Sequence, residues 1–392
     1  MKWLTRLQLQ KFRNVAPTTL EFRPGLNVLL GRNATGKTTL LRLLADVLGS
    51  GLALRENALE VDFHARGELL AYTHRIVIEP EEDEGEDAFP PRSVTSRRTD
   101  FFELEEQGRI LEKVKVLPDE VVHERTGSSI PRPLTALGDP FIAALLALWK
   151  AGAGDELAER FIMARPLTAG RMDEGLERFA SLFDTGTDAP EPFWSEFIHR
   201  LHEHARTLPA HETSGHQTPA FLERAARILG YDSAEVCFRI QRSHPGSEER
   251  IALSHLYFLF KLSREAITQE RLSHGQKRLL TFFACADESR DVIVADELAN
   301  GLHPEWIDAC VKEIGDRQAF LTSQNPLLLD FLRFDGAEEV RRTFILCERA
   351  SHETEARLVW RNPTEEEAES FFSAYQTGIQ RVSDILRTQG LW

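Results

Sequence analysis

Cysteine is scarce in this chain. Cys237, Cys285, Cys310 and Cys347 are the only four among 392 residues, and none stands in a CxxC spacing. Neither a zinc site nor a disulfide framework is therefore indicated. Long apolar runs are missing too: the longest, Phe141–Trp149 and Leu256–Phe260, fall far short of the ~20 residues a bilayer-spanning helix needs. No membrane role is expected. The opening MKWLTRLQLQKFRNV alternates polar and apolar residues like a strand and lacks the apolar core of a secretory signal, so a cytoplasmic protein is expected. Positive charge is in deficit, with Lys plus Arg at 47 against Asp plus Glu at 62 and a net charge of −15. Net charge thus does not indicate DNA binding, which would need a local basic patch. Residues 139–230 carry no sustained heptads, which argues against long coiled-coil arms.

What is present begins with a composition that is 42% hydrophobic and 28% charged, that of a soluble globular chain. The length suits two domains, or one large α/β domain with an insertion. The first chemical motif is Gly31-Arg32-Asn33-Ala34-Thr35-Gly36-Lys37-Thr38, which fits GxxxxGK[ST]. Leu26–Leu30 before it is a short apolar run suited to a buried strand, and Thr39–Leu48 after it has helical periodicity and stops at Gly49. Strand, glycine loop and helix are the context the motif requires. Its glycines turn backbone N–H groups toward phosphate oxygens, and the helix N-terminus adds partial positive charge. Lys37 would reach the terminal phosphates, and Thr38 would offer a hydroxyl to Mg²⁺.

A second motif, Asp291-Val-Ile-Val-Ala-Asp296-Glu297, ends an apolar run in paired carboxylates. That pattern suits a buried parallel strand with acids at its C-terminal edge. Asp296 would hold Mg²⁺, and Glu297 would polarise the attacking water as general base. A third string, Leu272-Ser273-His274-Gly275-Gln276-Lys277-Arg278, starts a helix with residues of low helix propensity. A serine hydroxyl and N–H groups at a helix start can close the open face of a bound γ-phosphate.

That string resembles the LSGGQ signature of the ATP-binding-cassette ATPases, in which Ser273, His274, Gly275 and Gln276 of one protomer would cap ATP on the other's phosphate loop. Within that superfamily the chain more closely resembles the heads of SMC and RecF-like proteins and the stand-alone, OLD-like ATPases common in bacterial defence systems. Leu7-Gln-Leu-Gln-Lys-Phe12-Arg13-Asn14, followed by Phe22–Gly31, resembles their "nFr…glnvliGpNgsGKS" opening, and Glu297-Leu-Ala-Asn300-Gly301-Leu302-His303-Pro304 their "DEiEnGLHP" block. The resemblance implies an α/β P-loop NTPase fold of ABC/SMC-like head type, with a mixed sheet, an antiparallel β lobe and a compact helical insertion. It also implies ATP and Mg²⁺ as cofactors, an ATP-sandwiched homodimer, and nucleotide contacts from Arg13, Gly31 to Thr39 and Ser273 to Gln276. One position departs from it. Where the family presents a histidine near the γ-phosphate, this chain has Gln324 in Thr322-Ser-Gln-Asn-Pro326. An amide can donate a hydrogen bond but carries no charge near neutral pH, so slow hydrolysis is expected.

Four segments follow: residues 1–138 as the first half of the head, 139–230 as a helical insertion, 231–362 as the second half, and 363–392 as a C-terminal helix and tail. Residues 57–78 and 99–116 read as hairpin strands of the lobe, and Glu79–Asp87 with the prolines after it as an acidic loop. His199, His202, His204, His211 and His216 cluster without ligand-like spacing, which favours solvent exposure over a metal site. Phe371, Phe372, Tyr375, Ile379, Val382, Ile385 and Leu386 form one apolar stripe at helical spacing, expected to pack on the head. Only about 95 residues follow Glu297, which leaves no room for the Toprim domain of OLD nucleases, and no HNH-like grouping is seen. The expected function is a dimerising ATPase controlling a separately encoded effector, a nuclease or toxin, in bacterial defence. A DNA-repair ATPase of RecF or SMC type is the alternative. A transporter's ATP-binding subunit fits less well, because no Q-loop coupling segment is recognisable.

Overall fold

The alternation at the N-terminus becomes a ten-residue strand, β1 (Trp3–Phe12), in which Leu4, Leu7, Leu9 and Phe12 are buried. Leu4 and Leu7 reach the same side although three apart, because the register with its neighbour shifts between Leu4 and Arg6. The computed structural model describes residues 3–48, 58–66, 70–80, 96–117, 120–123, 128–131, 144, 170–171, 195–243, 250–289, 291–350 and 357–392. The chain divides into two units. The first takes Met1–Ala169, Asp316–Thr322 and Leu332–Trp392; the second takes Gly170–Gly315 and Ser323–Phe331.

In the first unit β1 is followed by β2 (Thr18–Glu21), β3 (Leu26–Leu30) and α1 (Lys37–Leu48), then β4 (Leu59–Arg66), β5 (Leu70–Pro80), β6 (Ser96–Glu106), β7 (Arg109–Val116), β8 (Glu120–His123) and β9 (Ser128–Pro131). All of these strands except β3 form one antiparallel sheet in the order β2-β1-β4-β5-β6-β7-β8-β9. This is the expected antiparallel lobe, lengthened by β1 and β2 at one edge and by β8 and β9 at the other. Period-two burial is clearest on β4, where Leu59, Val61, Phe63 and Ala65 face the core. The predicted acidic loop lies outside the described residues from 81 onward.

The second unit begins with β10 (Gly170–Arg171) and continues through α2 (Ser195–Thr207), β11 (Ser214–Gln217), α3 (Ala220–Ile228), β12 (Ser233–Ser243), β13 (Arg250–Leu262), β14 (Glu265–Thr268), α4 (His274–Glu288), β15 (Val292–Ala295) and α5 (Pro304–Ile314). Strands β11 to β14 form an antiparallel sheet in chain order. Helices α2 and α3 bury their apolar faces through Phe197 and Phe221, and Phe221 meets Phe258 of β13 edge-on at 6.3 Å. In its described part the expected helical insertion carries a strand beside its helices. Residues 195–230 hold two helices and a strand, and they belong with β12 and β13 because the helices' apolar faces need a sheet to cover them. Of the rest of 139–230, all but 144 and 170–171 lie outside the described residues. The N-terminal segment of the first unit runs to Ala169.

The chain returns to the first unit for β16 (Gln318–Thr322), supplies α6 (Pro326–Asp330) to the second, and finishes in the first with α7 (Ala337–Thr343), β17 (Phe344–Ala350), β18 (Arg357–Arg361), α8 (Glu365–Gln376) and α9 (Val382–Thr388). Within the first unit, β3 is flanked by β16 and β17, both parallel to it, and β18 closes on β17 antiparallel. Strand β16 is buried at every residue and β3 at all but its first, as strands covered on both faces are. The single C-terminal helix is not found. The stripe is split into α8 and α9 at Gly378, which has φ +66°, and Ile379 beside it is 87% exposed. The remaining stripe does pack, with Phe371, Val382, Ile385 and Leu386 buried.

One ionic cluster lies inside the lobe. Asp100 on β6 is 1% exposed. It accepts a hydrogen bond from His74 Nε2 at 2.8 Å and a bidentate pair from Arg98 at 2.8 and 2.9 Å. The His74 ring stacks on Phe102 at 4.1 Å. Burial alone would raise the Asp100 carboxyl, but the His74 and Arg98 hydrogen bonds outweigh it and hold it below its ordinary 3.8. The stabilisation is complete above that value and is lost as pH falls through the lower folded one. Asp100→Ala should cost about 3 kcal/mol near pH 7, since it strands a cation and a histidine. Urea unfolding measures this, and a cost near zero would show that the cluster contributes nothing net.

Candidate functional site

The predicted site residues fall in both units, and each set is coherent within its own. In the first unit the phosphate loop runs from the end of β3 into α1. Gly31 has φ +144°, and a Cβ there would lie 2.2 Å from the Cys347 carbonyl oxygen on β17. Only glycine allows β17 so close. Gly36 has φ +85°, and its Cβ would press on Leu358 Cδ1 at 2.8 Å and on the Trp360 ring at 3.2 Å. Trp360, fully buried on β18, donates Nε1–H to the Thr35 carbonyl at 3.2 Å, and Thr35 Oγ1 donates to the Arg32 carbonyl at 2.8 Å. The loop is thus braced from beneath by β17 and β18. Burial pushes the Cys347 thiol up to about 12, against the pull of Lys37, so this cysteine serves as apolar packing.

Arg32, Asn33 and Ala34 form the exposed rim of the loop. Lys37 Nζ donates to the Gly31 and Arg32 carbonyls at 2.8 and 2.9 Å, so the lysine spans the loop it would share with phosphate. Thr38 and Thr39 lie half-buried in the first turn of α1. Arg13 follows the end of β1 with φ +46°, its guanidinium 5.1 Å from the Phe12 ring centroid.

In the second unit α4 starts with a capping box. Ser273 Oγ accepts from Gln276 N at 3.3 Å, and Gln276 Oε1 accepts from Ser273 N at 2.8 Å. The serine proton and the first two helix amides, those of His274 and Gly275, are left without an intrahelical acceptor. Ser273 and His274 are exposed and Gly275 is buried. Asp296 and Glu297 follow β15 as expected, and Glu297 adopts φ +50°. Its carboxylate accepts from Asn300 Nδ2 at 2.7 Å and from Gln324 Nε2. The sequence-predicted pair Glu297 and Gln324 is therefore in direct contact.

Four roles were not read from the sequence. Arg278, quoted within LSHGQKR, turns back onto the carbonyls after β15; its position in the motif was the available signal. Asn300 holds the acid, and Gly275 allows a close backbone approach. Trp360 braces the loop from 325 positions away, a separation no local pattern reports. All four cysteines are free. Among the described residues no group of His, Cys, Asp or Glu is placed to hold a metal of the clustered kind, and the His199 side chain is 67% exposed beside Glu203. Among the described residues no helix is long and apolar enough to cross a membrane.

An apolar strand, a braced GxxxxGKT loop and a helix define a P-loop NTPase. Residues 26–330 match the AAA_21 family, described as "AAA domain, putative AbiEii toxin, Type IV TA system", and the chain belongs to that family. A stretch of 39 residues is 59% identical to the DNA replication and repair protein RecF of Streptococcus suis (strain 05ZYH33), covering 10% of this chain and 11% of that protein. A stretch of 42 residues is 52% identical to RecF of Streptococcus pneumoniae (strain CGSP14), covering 11% and 12%. The chain thus spans about a tenth of the length of the curated relatives it matches. Among solved structures it is similar to an Smc head bound to the C-winged helix domain of ScpA, with 14% identity, TM-score 0.41 and coverage of 93% of this chain and 99% of that one. An Smc head with coiled coil and joint from Pyrococcus yayanosii gives 12%, 0.42, 96% and 100%.

Ala34 stands in the loop with φ +63°, where the resembled opening has glycine. The left-handed region costs an L-residue roughly 1–2 kcal/mol, and glycine's extra chain entropy returns roughly 0.5–1 kcal/mol of that. Ala34→Gly should therefore stabilise the protein by about 0.5–1 kcal/mol. Denaturant unfolding checks it, and a loss of stability would mean that the alanine methyl makes contacts worth more than the strain.

Proposed function

We propose that this chain binds ATP, dimerises head to head around two ATP molecules, hydrolyses them slowly, and controls a separately encoded effector, a nuclease or toxin, in bacterial defence. The observation that carries the reading is the start of α4. A capping box secures the helix while leaving the Ser273 hydroxyl proton and two amides to donate, which suits a γ-phosphate presented by a second copy. In this reading Gly31 to Thr39 cradle the phosphates and Lys37 moves from its loop carbonyls to the terminal oxygens, with Arg13 beside them. Thr38 and Asp296 offer the hard oxygen donors that Mg²⁺ prefers; the ion would neutralise phosphate charge. Glu297 orients and deprotonates the attacking water. Gln324 already donates to Glu297, so it steadies the base but supplies no positive charge to the transition state. That supports slow turnover, the behaviour of a timer more than a pump.

The short RecF identities favour a second reading, a DNA-repair ATPase, which requires hydrolysis to be stimulated by DNA.

The test is the mass in solution of Glu297→Gln, which keeps the side chain's shape and removes the base. Adding ATP and Mg²⁺ should shift it from about 44.5 kDa to about twice that. A variant that binds ATP yet stays monomeric would sink the sandwich. Gln324→His should raise the single-turnover hydrolysis rate by about tenfold or more; an unchanged rate would show that the glutamine does not set the pace.

A further inference from the structure

The guanidinium of Arg278 gathers three consecutive carbonyl oxygens. Its Nη2 donates to the Asp296 oxygen at 2.6 Å and to the Glu297 oxygen, and its Nε donates to the Leu298 oxygen at 3.3 Å. Three neighbouring peptide oxygens do not converge in a strand, where successive carbonyls point to opposite sides. Here they converge because Glu297 takes φ +50°, a conformation that costs a non-glycine residue and persists only when its surroundings impose it. The cation compensates the aligned carbonyl dipoles, and its planar fork reaches all three, as a point-charged ammonium would not.

The same helix meets the same loop one turn earlier. A Cβ on Gly275 would lie 2.5 Å from the Gly301 carbonyl oxygen, so the first turn of α4 sits directly on the backbone at the far end of the loop. Between these two anchors the loop closes on itself, with Asn300 N donating to the Glu297 carbonyl at 3.0 Å. The result aims the Glu297 carboxylate at Asn300 Nδ2 and Gln324 Nε2. The string Ser273 to Arg278 therefore has two ends with different duties: its start is exposed, and its Arg278 end holds the acid.

We infer that Arg278 is a positioning residue that sets the Glu297 backbone and carries any movement of the Ser273 end of α4 to the general base of the same protomer. The inference rests on the ATP-sandwich reading above. If Ser273 of one protomer touches nucleotide bound to its partner, occupancy of the partner's site sets the base in its own site. The two ATP molecules are then hydrolysed cooperatively, and Arg278 is the link.

The experiment is steady-state ATP hydrolysis by the full chain and by Arg278→Lys, with ATP binding and thermal unfolding measured on both. Lysine keeps the charge and loses the fork. The expected result is a kcat lower by about tenfold to a hundredfold, the scale of a small misplacement of a reacting group. KM should stay within about twofold, and the Hill coefficient should fall to one from a wild-type value above one. Arg278→Gln, neutral but still an N–H donor, should show the same split and serves if the lysine variant does not fold. An unchanged kcat and Hill coefficient in a variant that binds ATP would overturn the link, as would a kcat that falls only together with the unfolding temperature. Wild-type protein that binds ATP and never hydrolyses it would overturn the ATPase reading itself, a separate outcome read from the wild type alone.

Discussion

Both chemical centres depend on one constraint: a buried apolar strand must stop abruptly and turn its backbone into a conformation that side chains resist. At the end of β3 this is met by Gly31, Ala34 and Gly36, all at positive φ; at the end of β15 it is met by Glu297 at φ +50°. The strands themselves supply rigidity, since burial on both faces fixes them more firmly than an edge strand. The bends supply function. A loop in ordinary β conformation would point half its N–H groups away from an anion, and a carboxylate on a straight continuation of β15 would follow the pleat.

The two bends are secured by different means. The phosphate loop is held by shape, because Gly31 and Gly36 admit the Cys347 carbonyl and the Trp360 ring at distances no Cβ would tolerate. The loop after β15 is held by charge-assisted hydrogen bonds from Arg278. Packing of the first kind is bistable only at large cost, whereas a guanidinium on carbonyl oxygens can exchange partners when its helix moves. In the proposed reading, the loop that would bind phosphate is held by close packing, and the loop that would bear the base is held by a guanidinium.

Much of this was legible in the sequence where the signal is local. Leu26–Leu30 reads as a strand because a short apolar run leading into a glycine loop and a helix suits a buried strand. The lobe strands β4 to β7 read from period-two alternation, and α4 from its serine start. What escaped depends on distance or on the limits of periodicity. Trp360 reaches Thr35 across 325 positions. A 3.6-residue stripe through Phe371 and Ile385 says nothing of Gly378 breaking it, and glycine's left-handed freedom decided there. Residues 195–230 fall within the expected helical insertion, but β11 pairs with β12 and joins the segment to a sheet. Arg278 was in view and unexplained, since a cation after a helix start is ordinarily a solvated residue.

The energetic cost of the Glu297 conformation, roughly 1–2 kcal/mol for a left-handed L-residue, identifies what kind of site this is. A general base that needed only to exist could sit on relaxed backbone. Under the proposed reading, a base whose pose is imposed from α4 would be in working form only while α4 is seated, and catalysis would be conditional on the helix that bears Ser273. The neutral amides of Gln324 and Asn300 fit the same logic. They orient the carboxylate without the strong attraction a cation would exert. Strain of this size is small against the stability of a folded chain yet amounts to a factor of roughly ten in population. On the proposed reading, that would be enough for one seated helix to decide whether the acid is ready.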